Sequence, residues 1–288
     1  MKNVAGSGGK WLDVSADRLP GWIASFAVRH GVSDPSAGSG EALAVAVGDD
    51  HVSFTARDGA VAQCYPPFPP VGGVTALLEA VTPPPRLDDP DVFDNPAAFA
   101  NRPLFDRPAV FDQPTAFGRQ AGSGQEGGSD DPAAIAQALA AHARKPRTVG
   151  VLLVRLGGFA AGVFAGYPPV LGAAKVGSRP VHGRSAAGGW SQHRFARRRE
   201  KQANEALSAA ADAAVLIFGD VKKGATRLDA VVLGGDRRAV ADLRDDPRLA
   251  PYFGLATERF LTVPDPKRAV LLESAKQFTA MRIWLTEP

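Results

Sequence analysis

The chain has 288 residues, of which 45% are hydrophobic, so it is long enough for one or two globular domains with sizeable cores. It contains no run of about 18 consecutive apolar residues, and its start, MKNVAGSGGKW, lacks the apolar stretch of a secretory signal. We therefore expect a cytoplasmic protein without a membrane partner. The single cysteine, Cys64, excludes an internal disulfide, and with no Cys/His cluster nearby we expect neither a metal nor another cofactor.

The formal net charge of +3 conceals two segments of opposite charge. Residues 179–201 carry seven basic residues against the single acid Glu200, a formal +6. Residues 84–131 carry nine acids against four arginines, a formal −5. The basic segment is compatible with a nucleic-acid contact and equally with an Arg-rich helix whose charged side chains are simply exposed to solvent.

Residues 1–83 are predicted to form a small α+β unit. The apolar spacing of LPGWIASFAVRHG predicts a helix that ends at Gly31. Between residues 41 and 65, alternating apolar residues broken by Gly-Asp-Asp and Asp-Gly predict three short antiparallel strands. YPPFPPVGG then precedes a helical VTALLEAV, and the prolines of PPPR end regular structure.

Phenylalanines recur every six residues from Phe93 to Phe117, mostly in D-x-P-x-x-F units such as DNPAAF and DRPAVF. Because frequent prolines remove backbone donors and break helices, we expect residues 84–131 to form a disordered low-complexity linker. A phenylalanine-based docking peptide is the alternative interpretation of this insertion.

Residues 132–288 are predicted to form a second domain. An alanine-rich helix, PAAIAQALAAHAR, leads into three strands, TVGVLLVRL, FAAGVFAG and PVLGAAKVG, which Gly and Pro turns connect as a meander. Helical periodicity then runs from Ser191 to about Ala214. A strand (LDAVVLGG), a helix from about Asp236, a strand near ERFLTV and a closing helix, PKRAVLLESAKQF, follow. This alternation predicts an α+β domain with a mixed sheet flanked by helices.

The segment SRPVHGRSAAGGWSQHRFARRRE joins a loop to the start of a helix. Gly188 and Gly189 permit positive φ and a close approach to another molecule. Ser191 is placed to cap a helix whose free N–H groups and dipole favour a phosphate. The basic residues that follow, one helical turn apart, would track a phosphate backbone in a salt-sensitive manner.

The order of residues in this segment resembles the middle domain of eukaryotic and archaeal class-1 peptide-chain release factors, whose signature runs close to HGRGGQSALRFAR. His182 and Arg184 match the opening of that signature, Gly188 and Gly189 its glycines, and residues 194–197 (RFAR) the helix. The likeness extends over roughly residues 147–280, where LDAVVLGGD looks like a strand end of the family. The resemblance implies a release-factor middle-domain, ribonuclease-H-like fold for the C-terminal half.

Two departures separate this segment from a stop-codon release factor. Residues 185–187 lengthen the loop, and Trp190 stands where the family carries its catalytic glutamine. Gln192 instead follows Gly189 in G-x-x-Q spacing, which looks like the Vms-type branch of release-factor-like proteins that acts on stalled ribosomal complexes. The Ala/Arg/Gly bias of the chain is typical of actinobacterial proteins.

The resemblance implies that the protein hydrolyses peptidyl-tRNA. The partners implied are peptidyl-tRNA, the large ribosomal subunit and its rRNA, and no DNA partner is expected. Glutamine has no useful pKa near neutrality, so its role would be geometric. The catalytic residues implied are Gln192, Gly188, Gly189 and Ser191. The RNA-binding residues implied are His182, Arg184, Trp190, His193, Arg194, Arg197 and Arg198.

Two other functions remain open from the sequence. The same substrate would be used by an endonuclease that cuts the tRNA acceptor end through phosphodiester transfer. A non-catalytic ribosome-binding module would keep the basic helix and lack turnover. Trp190 would stack on a base or pack beneath the loop, and the two histidines would contact RNA or titrate.

Overall fold

The computed structural model describes residues 8–31, 43–73, 77–78, 131–155, 157–178, 191–223 and 227–288. Within the helix at 191–223 it describes the side chains of residue 202 and residues 204–219. The predicted linker at 84–130, most of the predicted helix VTALLEAV and the loop 179–190 lie outside these ranges.

The described residues form two five-stranded sheets with helices packed on them. The elements in chain order are β1 (Gly9–Val14), α1 (Leu19–His30), β2 (Leu43–Val47), β3 (Val52–Ala56), β4 (Val61–Tyr65), α2 (Pro132–Arg144), β5 (Arg147–Arg155), β6 (Gly158–Gly166), β7 (Val170–Ser178), α3 (Ser191–Lys223), β8 (Ala230–Gly235), α4 (Arg237–Asp242), α5 (Ala250–Phe253), β9 (Ala256–Leu261), α6 (Arg268–Thr279) and β10 (Met281–Thr286). The α+β class predicted from the sequence is confirmed.

The first sheet is antiparallel throughout, in the order β1-β10-β4-β3-β2. The three strands predicted between residues 41 and 65 are confirmed as β2, β3 and β4. The helix predicted to end at Gly31 is confirmed as α1, and the Gly31 amide donates to the Ala27 carbonyl at 2.7 Å. The apolar stripe of α1, Leu19, Ile23 and Phe26, is buried against the sheet.

The prediction that the chain closes on a helix is wrong, because β10 follows α6 and lies between β1 and β4. Met281, Ile283 and Leu285 alternate inward and are buried, as a half-buried strand requires. The alternation is present in MRIWLT, but its partners lie more than 200 residues away in the chain. No hairpin signal of short range therefore marks it.

The helix predicted at PAAIAQALAAHAR is confirmed as α2 and also packs on the first sheet. The Asp131 side chain caps it by accepting from the Ala133 amide at 3.0 Å. Ile135 and Leu139 are buried in the same core as α1. The sequence-based boundaries assign α2 and β10 to the C-terminal domain, whereas a division by sheet groups both elements with residues 8–73.

The second sheet has the order β7-β6-β5-β8-β9. The predicted meander is confirmed, since β6 pairs antiparallel with both β5 and β7. The predicted strands LDAVVLGG and ERFLTV are confirmed as β8 and β9, and β8 pairs parallel with both β5 and β9. When the five strands are numbered 1 to 5 from β5 to β9, their order across the sheet is 3-2-1-4-5, and the second strand, β6, is antiparallel to the other four. This is the ribonuclease-H-like arrangement that the resemblance implies.

Helices cover both faces of the second sheet. On one face the C-terminal half of α3 packs with α4 and α5, through buried residues such as Ala214, Phe218 and Tyr252. On the other face α6 packs through Leu271 and Phe278. Phe68, from the segment after β4, joins this second core and lies 6.4 Å from Phe278, so the two sheets share apolar contacts.

Replacement of Ile283 by Ala tests the central position of β10. Ile283 is fully buried, so its truncation should lower the free energy of unfolding by about 2–5 kcal/mol. Urea titration followed by circular dichroism measures the change. The matched control is Val28→Ala on the exposed face of α1, which should shift stability by less than about 0.5 kcal/mol. Equal effects of the two changes would contradict the central placement of β10.

Candidate nucleic-acid interface

The sequence motif spans the connection from β7 to α3. The strand ends at Ser178 and the helix begins at Ser191, the residue predicted to cap it. His182, Arg184, Gly188, Gly189 and Trp190 belong to the loop 179–190, outside the described residues. The backbone of α3 includes the remaining predicted site residues, whose side chains are also outside the description: Ser191, Gln192, His193, Arg194, Arg197 and Arg198.

The helix that carries Gln192 is longer than its predicted end near Ala214, since α3 continues to Lys223. The extra residues, VLIFGDVKK, include Ile217 and Phe218, which are buried against the sheet. Gly150 on β5 leaves room for the Phe218 ring, because a Cβ there would lie 3.0 Å from that ring. Tertiary packing therefore extends the helix past the point where its sequence periodicity weakens.

Strand β7, which precedes the motif, ends at the sheet edge where the parallel strands also end. Ser178 is paired with Gly158, and Gly158 with Arg155 at the end of β5. Gly235, the last residue of β8, is paired with Val154. The carboxyl ends of β5, β7 and β8 therefore meet at one edge, the kind of place where open sheets with parallel strands bind ligands.

The turn at the end of β8 requires a glycine and starts a capped helix. Gly235 has a φ of 102°, and a Cβ there would overlap the Val154 carbonyl oxygen. Asp236 follows and accepts from the Arg238 amide at 2.8 Å and the Ala239 amide at 3.4 Å. This N-cap fixes the start of α4 at the same edge.

Five exposed basic residues lie along this edge, which we call the basic edge. The Arg155 Nη1 atom donates to the Val263 carbonyl at 3.1 Å, which ties the segment after β9 to the end of β5. The Arg237 guanidinium lies 4.3 Å from the centre of the Phe260 ring. The five residues are Arg155, Arg237, Arg238, Lys267 and Arg268, against two exposed acids, Asp236 and Asp265.

Sequence reasoning missed the basic edge because its members are separated by up to about a hundred residues in the chain. No local run of charge marks them, in contrast to residues 194–201. The signal available was positional: Arg155 is the last but one residue of one predicted strand, and Arg237 lies two residues after the end of another. Residues at the carboxyl ends of neighbouring parallel strands come together in space.

An ionic cluster fixes α3 to the segment before α5. Arg248 Nη1 lies 2.8 Å from an Asp212 carboxylate oxygen on α3, and Arg248 Nη2 lies 2.7 Å from Asp246. The hydrogen bonds from Arg248 hold the pKa of the Asp246 carboxyl below its usual value. All three side chains are in contact with solvent, so the cluster contributes little to the free energy of folding. Its effect is to orient α3 relative to the segment before α5.

Within the described part of the chain, no group of three or more His, Cys, Asp or Glu side chains is arranged to hold a metal ion. Among the same residues, no helix combines the length and the apolar character needed to cross a bilayer. The described edge offers fixed cations and a capped helix start close to the end of β7.

The basic edge should contribute to RNA binding measured directly. The double change Arg238→Gln with Arg268→Gln removes two cations. The logarithm of the RNA association constant falls linearly with the logarithm of the salt concentration, and this dependence should become shallower by about 0.7–0.9 for each phosphate contact that is lost. Fluorescence anisotropy with a labelled hairpin ending in single-stranded CCA measures that slope. Arg29→Gln on α1, an exposed arginine on the other sheet, is the control and should leave it unchanged. An unaltered slope in the double variant would refute a phosphate contact here.

Residues 147–284, from the start of β5 into β10, match the family model described as Actinobacteria/chloroflexi VLRF1 release factor. Among solved structures, an archaeal translation termination factor, aRF1, is similar at 13% identity with a TM-score of 0.35, over 46% of this chain and 36% of that one. The chain thus spans about a third of that factor's length. None of the curated proteins matches the sequence. By this match, residues 147–284 of the chain are similar to a release-factor-like family.

Proposed function

We propose that this protein is a peptidyl-tRNA hydrolase that frees nascent chains from tRNA on stalled large ribosomal subunits. A release-factor-like family indicates a ribosome-associated release or rescue function, and the finer assignment rests on the motif. The observation that carries it is the position of the motif in the fold: the segment that holds it follows the end of β7, which lies at the same sheet edge as the basic edge, and continues into α3. The proposed partners are peptidyl-tRNA, the large subunit and its rRNA, in the cytoplasm.

The proposed role of Gln192 is to position groups rather than to transfer a proton. A side-chain amide neither gains nor loses a proton near neutral pH. The ribosome already holds the ester, so the loop need only bring a backbone N–H toward the developing oxyanion while the amide orients water. Gly188 and Gly189 permit that close approach. Ser191 is the first residue of α3, so Gln192 stands in the first turn of the helix.

The proposed substrate contact is with the phosphates near the CCA end. His182, Arg184 and the basic residues of the first turns of α3 would hold these phosphates on one side of the loop. The basic edge supplies further cations on the sheet side, from Arg155 to Arg268. Trp190 would stack on an unpaired base beside the loop. Removal of one such cation weakens binding, whereas removal of the oxyanion donor affects the rate.

Gln192→Ala is the direct test of the catalytic assignment. Peptide release from stalled ribosome–nascent-chain complexes should fall about 100-fold or more, because the attacking water is no longer positioned by the side-chain amide. Co-sedimentation with ribosomes should stay at the wild-type level, because the cations remain. The control is Gln137→Ala on α2, an exposed glutamine on the other sheet, which should release peptide at the wild-type rate. Undiminished release by Gln192→Ala would refute the assignment.

The 3′ end of the released tRNA separates ester hydrolysis from RNA cleavage. Ester hydrolysis leaves the CCA end intact, whereas an endonuclease shortens it. We expect sequencing of the tRNA after reaction on both intact ribosomes and isolated large subunits to recover complete CCA ends. Shortened ends that depend on Gln192 would replace the proposed hydrolase with the nuclease, and binding without either product would leave a non-catalytic module.

Deletion of residues 84–130 tests whether the phenylalanine repeats are the functional element. We expect the shortened protein to release peptide at the wild-type rate, because the motif and the basic edge lie entirely after residue 147. The comparison uses the same release assay with matched protein concentrations. Loss of release in a variant that keeps its unfolding midpoint would assign the function to the repeats.

A further inference from the structure

The first sheet has one covered face and one that the described helices leave open. Helices α1 and α2 both pack on the inward face, whose residues form the N-terminal core. The opposite face is built from the alternate residues of β1, β10, β4 and β3. It carries Trp11, Trp284 and Tyr65, and Trp11 is 43% exposed.

The aromatic side chains on this face form a continuous row, which we call the aromatic face. The ring of Trp11 lies 5.1 Å from that of Trp284 and 5.5 Å from that of Tyr65. The Tyr65 ring in turn stacks with His51 at 4.9 Å and an interplanar angle of 24°. Gly9 gives the Trp284 ring its place across β1, since a Cβ there would lie 2.6 Å from that ring.

The charge on this face is positive beside Trp11. The Arg282 guanidinium lies 4.4 Å from the centre of the Trp11 ring. Asp13 neutralises only one of its two cationic neighbours, as Arg259 lies 3.0 Å and Arg282 3.9 Å from the same carboxylate oxygen. Two guanidiniums share this one carboxylate at the Trp11 end of the row, and the Asp50 carboxylate lies at the other end, 2.6 Å from the His51 ring.

Hydrogen-bonding groups accompany the rings. Gln63 stands opposite Trp284 in the strand register, and Ser53 stands opposite Gln63. Their side chains lie on the same face as Trp11, because facing residues of paired strands share a face. A side-chain amide and a hydroxyl both donate and accept, as recognition of a base edge requires.

We infer that the aromatic face binds unpaired nucleobases of RNA, with bases stacked on Trp11 and Tyr65 and a phosphate beside Arg282. An open sheet face with exposed rings is a known platform for single-stranded RNA, because every base has a π-face. The Arg282 guanidinium over Trp11 favours an anionic ligand at that end of the face over a neutral proline-rich peptide. The site lies mostly outside residues 147–284 and is separate from the motif that supports the proposed function.

Binding of short single-stranded RNA by the full-length protein tests this site. Anisotropy is measured with a labelled unstructured octamer and with the same strand in a duplex, at low salt and at about 0.3 M salt, where phosphate contacts weaken. Trp11→Ala should weaken single-strand binding about tenfold or more, while Trp11→Phe should stay close to wild type. The control, Leu272→Ala, removes a side chain of similar exposure (48%) on α6 and should have no effect.

A second variant separates binding from folding. Arg282→Gln keeps the rings and should reduce the salt dependence of single-strand binding by about one phosphate contact. Thermal unfolding of each variant checks that the sheet is intact. The inference is overturned if Trp11→Ala and Arg282→Gln stay folded and bind the octamer like wild type, or if duplex binds as well as single strand. It is also overturned if a peptide of residues 91–117 occupies the face and RNA does not.

The same measurement keeps this site distinct from the proposed hydrolase. Free RNA binding involves no ester, so Gln192→Ala should bind the octamer like wild type at 0.3 M salt. Loss of peptide release with retained octamer binding therefore concerns the motif alone. Loss of octamer binding in Trp11→Ala with normal release from isolated subunits concerns the aromatic face alone.

Discussion

The pairing of β10 with both β1 and β4 is the constraint on which the arrangement of the whole chain depends. Ile283 and its neighbours in β10 are buried at the centre of the first sheet, directly after α6 has packed on the second. A short connection between two buried elements leaves little freedom between the sheets. The Arg259–Asp13 ion pair and the hydrogen bond from His142 to the Phe68 carbonyl, at 2.9 Å, add polar contacts across the same junction. The N-terminal strands therefore build one body with the release-factor-like segment.

That body presents two surfaces of different chemistry. The basic edge combines cations with capped backbone turns, and such a surface follows phosphates without regard to sequence. The aromatic face combines rings, the Arg282 guanidinium and hydrogen-bonding side chains, which suit unpaired bases. The near-neutral total charge reveals neither surface, because it sums positive and negative segments from the whole chain, such as residues 179–201 and 84–131. Local distribution, and not net charge, is the relevant quantity for this chain.

Features with a local cause were predictable from the sequence. The end of α1 at Gly31, the three strands before Tyr65 and the meander from β5 to β7 each depend on turns and periodicity within a few residues. The central place of β10 and the basic edge depend on contacts between distant parts of the chain, which no local pattern encodes. The end of α3 was missed for a related reason, since Phe218 is helical because it fills space against Gly150. For Gln192 the sequence supplied the motif and the helix, while the exposure and partners of its side chain stay predictions.

The chemistry proposed for Gln192 requires accurate placement, and α3 is built to provide it. Its C-terminal half is fixed by burial from Ala210 to Phe218 and by the Arg248 cluster at Asp212. Gln192 lies 18 residues before Ala210, which is about 27 Å along a continuous helix. Because the C-terminal half of α3 is fixed to the second sheet, the position of its first turn is set by the orientation of that sheet. A residue without a titrating group can promote hydrolysis only where another structure already holds the ester. A stiff extension from a compact body therefore suits a reaction centre enclosed by RNA, where the body itself has no room to enter.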